Sequence, residues 1–252
     1  AGLGIARSKA KSQRLTSDQV VVLLTLPELM PPNSTTKVTP WNDVAIETIW
    51  LLSFITKQDS MAIDYFFKNG QFISALITTL VVDTNMVGQQ LSNTADARGN
   101  NIDTIPGSLI SCCRTLKNIA LASDGQYVNS ILTSEVMGQH TTSTASNDNA
   151  QPRPVEKALA QLILLGTLGA GNEINVIAIA AASTAGALLY DAGLDIPHPP
   201  TLACRTILPI LCQGLICPAS TFDFQKEVTW SIWNAVHFPP GLFGSRDNAL
   251  EK

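Results

Sequence analysis

The sequence predicts an all-α fold, and three observations carry the prediction. Apolar residues recur at three- and four-residue spacings along most of the chain, the period of a helix with one buried face. No stretch alternates apolar and polar residues for long enough to propose a strand. A long, a short and a long helical segment grouped around a Gly turn occur between Val44 and Val82 and return imperfectly further on, as in a stacked helical array.

In chain order, Gln19 to Leu29 is an apolar run closed by Pro31-Pro32, and the Asn33–Thr36 stretch that follows reads as a loop. Pro40, Asn42 and Asp43 signal the start of a helix over Val44–Thr56. Ser60 caps a short helix, Met61–Lys68, that stops at Asn69-Gly70, and Gln71–Val82 is the next long helix. Residues Asp83–Gly107 form a polar, Gly/Asn-rich insertion. Helices over Leu109–Ala122 and Gln126–Thr133 follow, then a second insertion, Gly138–Pro154, of Ser/Thr/Asn/Gln-rich low complexity. Pro154–Gly169 is a third long segment of the kind seen at Val44 and Leu109. Val176–Tyr190, the longest apolar run, is rich in Ala, Ser and Gly and reads as a buried helix broken near Ser183–Gly186. It is shorter than the roughly 18–20 residues that span a bilayer, so no membrane span is expected. After the Asp191-Ala192-Gly193 turn, Leu202–Leu215 contains Pro209 and should kink there. Phe224–Val236 is the last helix. This divides the chain into a basic arm at 1–18, a repeat array at 19–236 with insertions near 83–107 and 138–154, and a tail at 237–252.

Of the 252 residues, 45% are hydrophobic and only 14% charged, against about a quarter charged in an average protein. A chain so lean in charge can bury a large core but has little with which to solvate an isolated surface, which suits a subunit of a larger complex. A net charge of −4 argues against non-specific nucleic-acid binding, which needs a basic face. The five cysteines (Cys112, Cys113, Cys204, Cys212, Cys217) match neither a zinc pattern nor an even disulfide framework. They read as buried reduced thiols in an intracellular, reducing compartment: cytoplasm, nucleus or an organelle interior. The chain begins without Met, and its start, basic through Arg7, Lys9, Lys11 and Arg14 with no acid before Asp18, reads as a solvated tail, a basic arm or the remnant of a transit peptide on a processed or truncated chain.

The most informative stretch is Phe224–Val236, Phe-Gln-Lys-Glu-Val-Thr-Trp230-Ser-Ile-Trp233-Asn234-Ala-Val. Trp230 and Asn234, four residues apart, stand one above the other on a helix face. An amide that can bond peptide backbone beside an indole that can pack on an aliphatic stem or a cation is suited to gripping an extended peptide. The bland alternative is that Trp230 is core and that Asn234 caps a turn or bonds a neighbouring helix. Trp233 should point elsewhere and pack.

The run from Gln225 through Lys226, Glu227 and Trp230 to Asn234 resembles the third helix of an importin-alpha-type armadillo repeat, which reads roughly Gln-Lys-Glu-Ala-Ala-Trp-x-x-x-Asn. Cys113-Arg114-Thr-Leu-Lys-Asn118 is similar to the variant of that helix in which Arg replaces Trp and Asn still follows four residues on. Glu47-Thr-Ile-Trp50-Leu-Leu-Ser-Phe54 keeps the Trp but has Phe54 in place of Asn, and Phe66–Gly70 resembles the Gly turn between the first and second helices of the next repeat. The resemblance implies a right-handed, armadillo-like α-solenoid, here with long polar insertions, whose third helices line a concave groove. It further implies that Trp50, Arg114, Asn118, Glu227, Trp230 and Asn234 form a groove for an extended peptide or protein partner, with Asn on backbone, Trp on lysine stems and acids on cations. Arg114 also admits a reading as a salt-bridge partner.

No catalytic motif is present: Gly166–Gly171 has its glycines in the wrong order for a dinucleotide loop, and His140, His198 and His237 are scattered. No cofactor and no metal are expected, nor is enzymatic activity. The favoured expectation is a non-catalytic protein–protein interaction scaffold, a structural subunit of a large assembly. The alternative within the resemblance is an importin-alpha-like adaptor for basic nuclear localisation peptides; intact groove acids opposite Trp230 would favour it, and an apolar or occupied groove the scaffold. An enzyme on a helical scaffold would instead need a polar pocket of perturbed titratable groups.

Overall fold

The computed structural model describes residues 43–58, 63–64, 71–95, 107–122, 127–134, 136, 152–168, 172–189 and 199–237. All regular structure among them is helical: α1 (Asp43–Gln58), α2 (Gln71–Ala95), α3 (Ser108–Leu121), α4 (Val128–Thr133), α5 (Pro154–Leu165), α6 (Asn172–Leu189), α7 (Pro199–Ile216) and α8 (Phe222–His237). The basic arm, the first apolar run, the Asn69-Gly70 turn, most of the second insertion and the tail after His237 lie outside the described residues.

The helices form two rows. In one, α1 packs on α3, α3 on α6 and α6 on α8; in the other, α2 packs on α5 and α5 on α7. The rows meet through α2–α3, α5–α6 and α7–α8, and short α4 lies against α3, α5 and α7. One continuous apolar core runs between them, from Ile49 through Ile77, Leu116, Leu159, Ala182 and Leu211 to Phe224. Each helix therefore buries its apolar face against neighbours and none could do so alone.

Three expectations change in this arrangement. The expected break at Ser183–Gly186 does not occur, because α6 is continuous through Leu189. Its Ala178, Ala181, Ala182, Ala185 and Ala187 are all fully buried, Ala has the best intrinsic helix propensity, and small side chains let neighbours close in from several sides. That centrality also moves the third long segment: α5, not α6, was expected in the first row, yet α5 joins the second and α6 takes its place. Finally, α2 does not stop at Val82 but runs to Ala95, absorbing the first part of the expected insertion. Leu80 and Val87 are buried on either side of Asp83, so packing carries the helix through a polar stretch. As a result Phe72–Leu91 is long and apolar enough to cross a membrane by length and composition, although half of it is buried between helices. Residues expected to weaken helices are accommodated: Thr56, Thr79, Thr84 and Thr115 each return their hydroxyl to the carbonyl four residues back. Likewise α7 runs through Pro209, which sits on its exposed side.

Two joints fix the end of the molecule. The ring of Phe224, fully buried, lies where a side chain on Gly166 would be, 2.6 Å from the position of its Cβ, and 3.1 Å from that of Gly214. A Cβ on Gly186 would meet Ser231 Oγ at 2.6 Å and Trp230 Cζ3 at 2.8 Å. Glycine is required at Gly166 and Gly186 because the neighbouring helix occupies the space, not because of backbone conformation.

Candidate functional site

The side chains singled out by sequence fall on the row α1–α3–α6–α8. On α1, Trp50, Phe54 and Lys57 share one face by their four- and three-residue spacing, and Trp50 stacks on Phe54 with centroids 5.1 Å apart and planes 11° from parallel. From α3, the Arg114 guanidinium lies over the Trp50 ring at 5.1 Å. One turn later on the same stripe, Lys117 reaches across α6. Its ammonium donates to Ser183 Oγ, lies 5.1 Å from the centroid of the Trp230 indole, and pairs with Glu227 at 3.9 Å. Helix α3 thus supplies a cation to each of the two tryptophans, one on either side of it.

The asparagines bind the row together. Asn118 Nδ2 donates to the Ser53 carbonyl at 2.8 Å and approaches Thr56 Oγ1 at 3.3 Å, so α3 is tied to α1. Asn234 is 5% exposed and its Nδ2 donates to the Gly186 carbonyl at 3.2 Å, tying α8 to α6. Thr184 Oγ1 donates to the Cys113 carbonyl at 2.8 Å, and Ser231 Oγ to the Ala182 carbonyl at 2.7 Å. Each of α3, α6 and α8 therefore donates from a side chain to the main chain of the preceding helix in the row. Buried carbonyls and donors satisfied this way hold register without the loss that an unpaired group would bring. The pairs Trp50/Arg114 and Ser53/Asn118, and the pairs Ala182/Ser231 and Gly186/Asn234, advance together, so α1 runs parallel to α3 and α6 to α8.

The structure thus brings Arg114 of α3 to Trp50, and Lys117 of α3 to both Trp230 and Glu227. Asn118 and Asn234 face neighbouring helices, and Trp233, expected to pack, is 54% exposed. Sequence reasoning missed Lys117. Its signal was present: it stands three residues after Arg114, on the stripe that the resemblance assigns to the groove. A scan against protein-family models and searches of curated proteins and of solved structures return no match to this chain.

Perturbed titratable groups lie elsewhere, inside the packing. Burial pushes the Asp83 carboxyl up to about 6, against the opposing pull of the Ser108 hydroxyl that donates to it across the α2–α3 joint. Burial also raises the Cys113 thiol to about 12, and burial, helped by nearby Asp83, raises the Cys112 thiol well above its ordinary value. Thiols held protonated are poor nucleophiles and poor metal ligands, whereas Cys212, expected to be buried, is exposed and Cys217 is half-buried. Glu156, 1% exposed at the start of α5, is raised by burial while accepting from the Arg153 backbone N–H at 3.1 Å. Among the described residues no three metal-ligating side chains come together.

Proposed function

We propose that this chain is a non-catalytic protein-interaction scaffold, an armadillo-like right-handed α-solenoid with long polar insertions, and that it serves as a structural subunit of a larger assembly in a reducing intracellular compartment. Support for the solenoid comes from the two rows, from the parallel pairs α1–α3 and α6–α8 in the first row, and from connections that alternate between rows, as stacked repeats require. Support for a scaffold over a transport adaptor comes from Lys117. An adaptor for basic peptides offers its indole and its acid to a lysine of the cargo. Here the chain's own lysine lies over Trp230 and pairs with Glu227, and the amides of Asn118 and Asn234 are committed to neighbouring helices. The perturbed carboxyls and thiols are buried at helix joints rather than gathered in a cleft, which weighs against an enzyme.

The test is affinity capture of the tagged chain at its native level under gentle lysis, with the intact complex weighed, beside titration of the purified chain with a Lys/Arg-rich peptide. One complex of fixed stoichiometry and no peptide binding is the expected result. Tight binding of the basic peptide, lost in Trp230→Ala, would replace the scaffold with the adaptor.

A further inference from the structure

The two cations that α3 contributes to the row are not in the same state. Lys117 has a carboxylate, a hydroxyl and an indole around it. Arg114 is exposed and, among the described residues, pairs with no carboxylate and has the Trp50 ring as its partner. Stacking on a ring uses none of the five N–H donors of a guanidinium, and it fixes the group in place, so little freedom remains to be lost when a carboxylate arrives. Lys57, exposed on α1, likewise has no carboxylate partner among the described residues.

We propose that the α1–α3 end of the row binds an extended, Asp/Glu-rich segment of a protein partner, with Arg114, held on the Trp50 ring, and Lys57 taking carboxylates. This rests on the reading of the row as a protein-recognition surface and specifies its ligand: the polarity is the reverse of a lysine-binding groove. The argument is charge complementarity together with spacing. Lys57 is seven residues beyond Trp50, about 10 Å along the helix axis at 1.5 Å per residue. A peptide in the polyproline II conformation, rising about 3.1 Å per residue with three residues per turn, covers that distance in about three residues and returns to the same face, so the pattern that fits carries acids three positions apart. A phosphodiester chain fits worse. It needs several cations in succession, whereas the stripes on α6 and α8 that continue the row carry Glu173, Asp223 and Glu227, and the whole chain is at −4.

The experiment is fluorescence anisotropy on the full chain with a labelled peptide carrying glutamates three positions apart, its glutamine counterpart, and a single-stranded RNA. The glutamate peptide binds and the other two do not. Arg114→Gln weakens binding about tenfold, Arg114→Lys by less because charge is kept and the fork lost, and Lys57→Gln about threefold. Lys226→Gln, an exposed lysine on α8, changes nothing. Should Arg114→Gln disturb the fold by circular dichroism, the Arg114→Lys and Lys57→Gln pair carries the test. Equal binding of the glutamine peptide, tighter binding of RNA, or no binding of the glutamate peptide at about 1 mM overturns the proposal. If the peptide fails while the chain still enters one complex of fixed stoichiometry, this inference falls and the scaffold reading stands.

Discussion

The α1–α3 and α6–α8 joints are built from the same parts and put to different use. Each sets a tryptophan against a cation from α3, and each has an asparagine tied to the backbone of the preceding helix. At α6–α8 the fit is tight: Asn234 is buried, Ser231 makes a second tie, Gly186 leaves no room for a methyl group, and the cation is neutralised by Glu227. At α1–α3 the asparagine is half-buried, Trp50 lies on Phe54 and the arginine is exposed. The difference separates holding from binding. A polar group in a closed joint specifies register, whereas the same group at an open joint keeps its remaining hydrogen-bonding capacity for something else.

Gly186→Ala should break the tight joint and cost most. The added Cβ would meet Ser231 Cα at 2.9 Å, and backbone cannot swing aside as a side-chain tip can. A net loss of about 3 kcal/mol is expected by urea denaturation, in spite of the roughly 1 kcal/mol that Ala gains over Gly in a helix. Gly88→Ala on α2, with nothing among the described residues within 4 Å of its Cβ position, isolates that propensity gain and should stabilise.

The α2–α3 joint adds a third case, in which the polar group is buried without a counter-charge among the described residues. Asp83 titrates near 6 in the folded chain against an ordinary 3.8. Between those values the native state holds a proton that the unfolded chain has released, so stability falls as pH rises from about 4 to about 6, by up to about 3 kcal/mol. Asp83→Asn should remove that slope and stabilise the protein at pH 7, with little change at pH 4. Denaturation midpoints at the two pH values check it, and a slope unchanged in the variant assigns the titration to another group.

Removing each asparagine sharpens the comparison directly. Asn234→Ala should cost about 2 kcal/mol and Asn118→Ala about 1 kcal/mol, since the former empties a buried site and the latter a half-open one that water can enter. Equal costs would mean that the two joints are equally closed.

How much of this was legible in the sequence follows from where the signals are local. Phe224–Val236 was found within two residues at either end, because its stripe and its Trp230/Asn234 pair are set by one helix alone. What α6 and α2 do was not legible, since both depend on neighbours. An Ala-rich run shows the same period whether it lies at the centre of the packing or at its edge, and Asp83 reads as a loop residue until Ser108 stands opposite it. The same limit applied to the candidate site. Glu227 and Trp230 were visible as a cation-binding pair, but the cation, Lys117, comes from a helix more than a hundred residues earlier. Asn118 and Asn234 carry donors whose acceptors, Ser53 and Gly186, are backbone carbonyls, and any residue supplies those.

Lys117→Met is the substitution with the smallest expected effect on stability and the one that most tests the division between holding and binding. The pair with Glu227 is partly solvated, with side chains 32% and 26% exposed, and the contact with Trp230 is of the exposed kind, so the loss should be under about 1 kcal/mol. Met keeps the apolar stem over Ser183 and Trp230 while removing the charge. Glu227 is then left beside an indole with no cation, which is a lysine-binding arrangement. The variant should bind a Lys-rich peptide weakly, with quenching of tryptophan fluorescence, where the wild type does not, and Glu227→Gln in the same background should abolish the gain. If Lys117→Met binds no better than wild type, Lys117 is not what closes that joint to outside lysines, and the contrast between the two ends must rest on the packing around Gly186 alone.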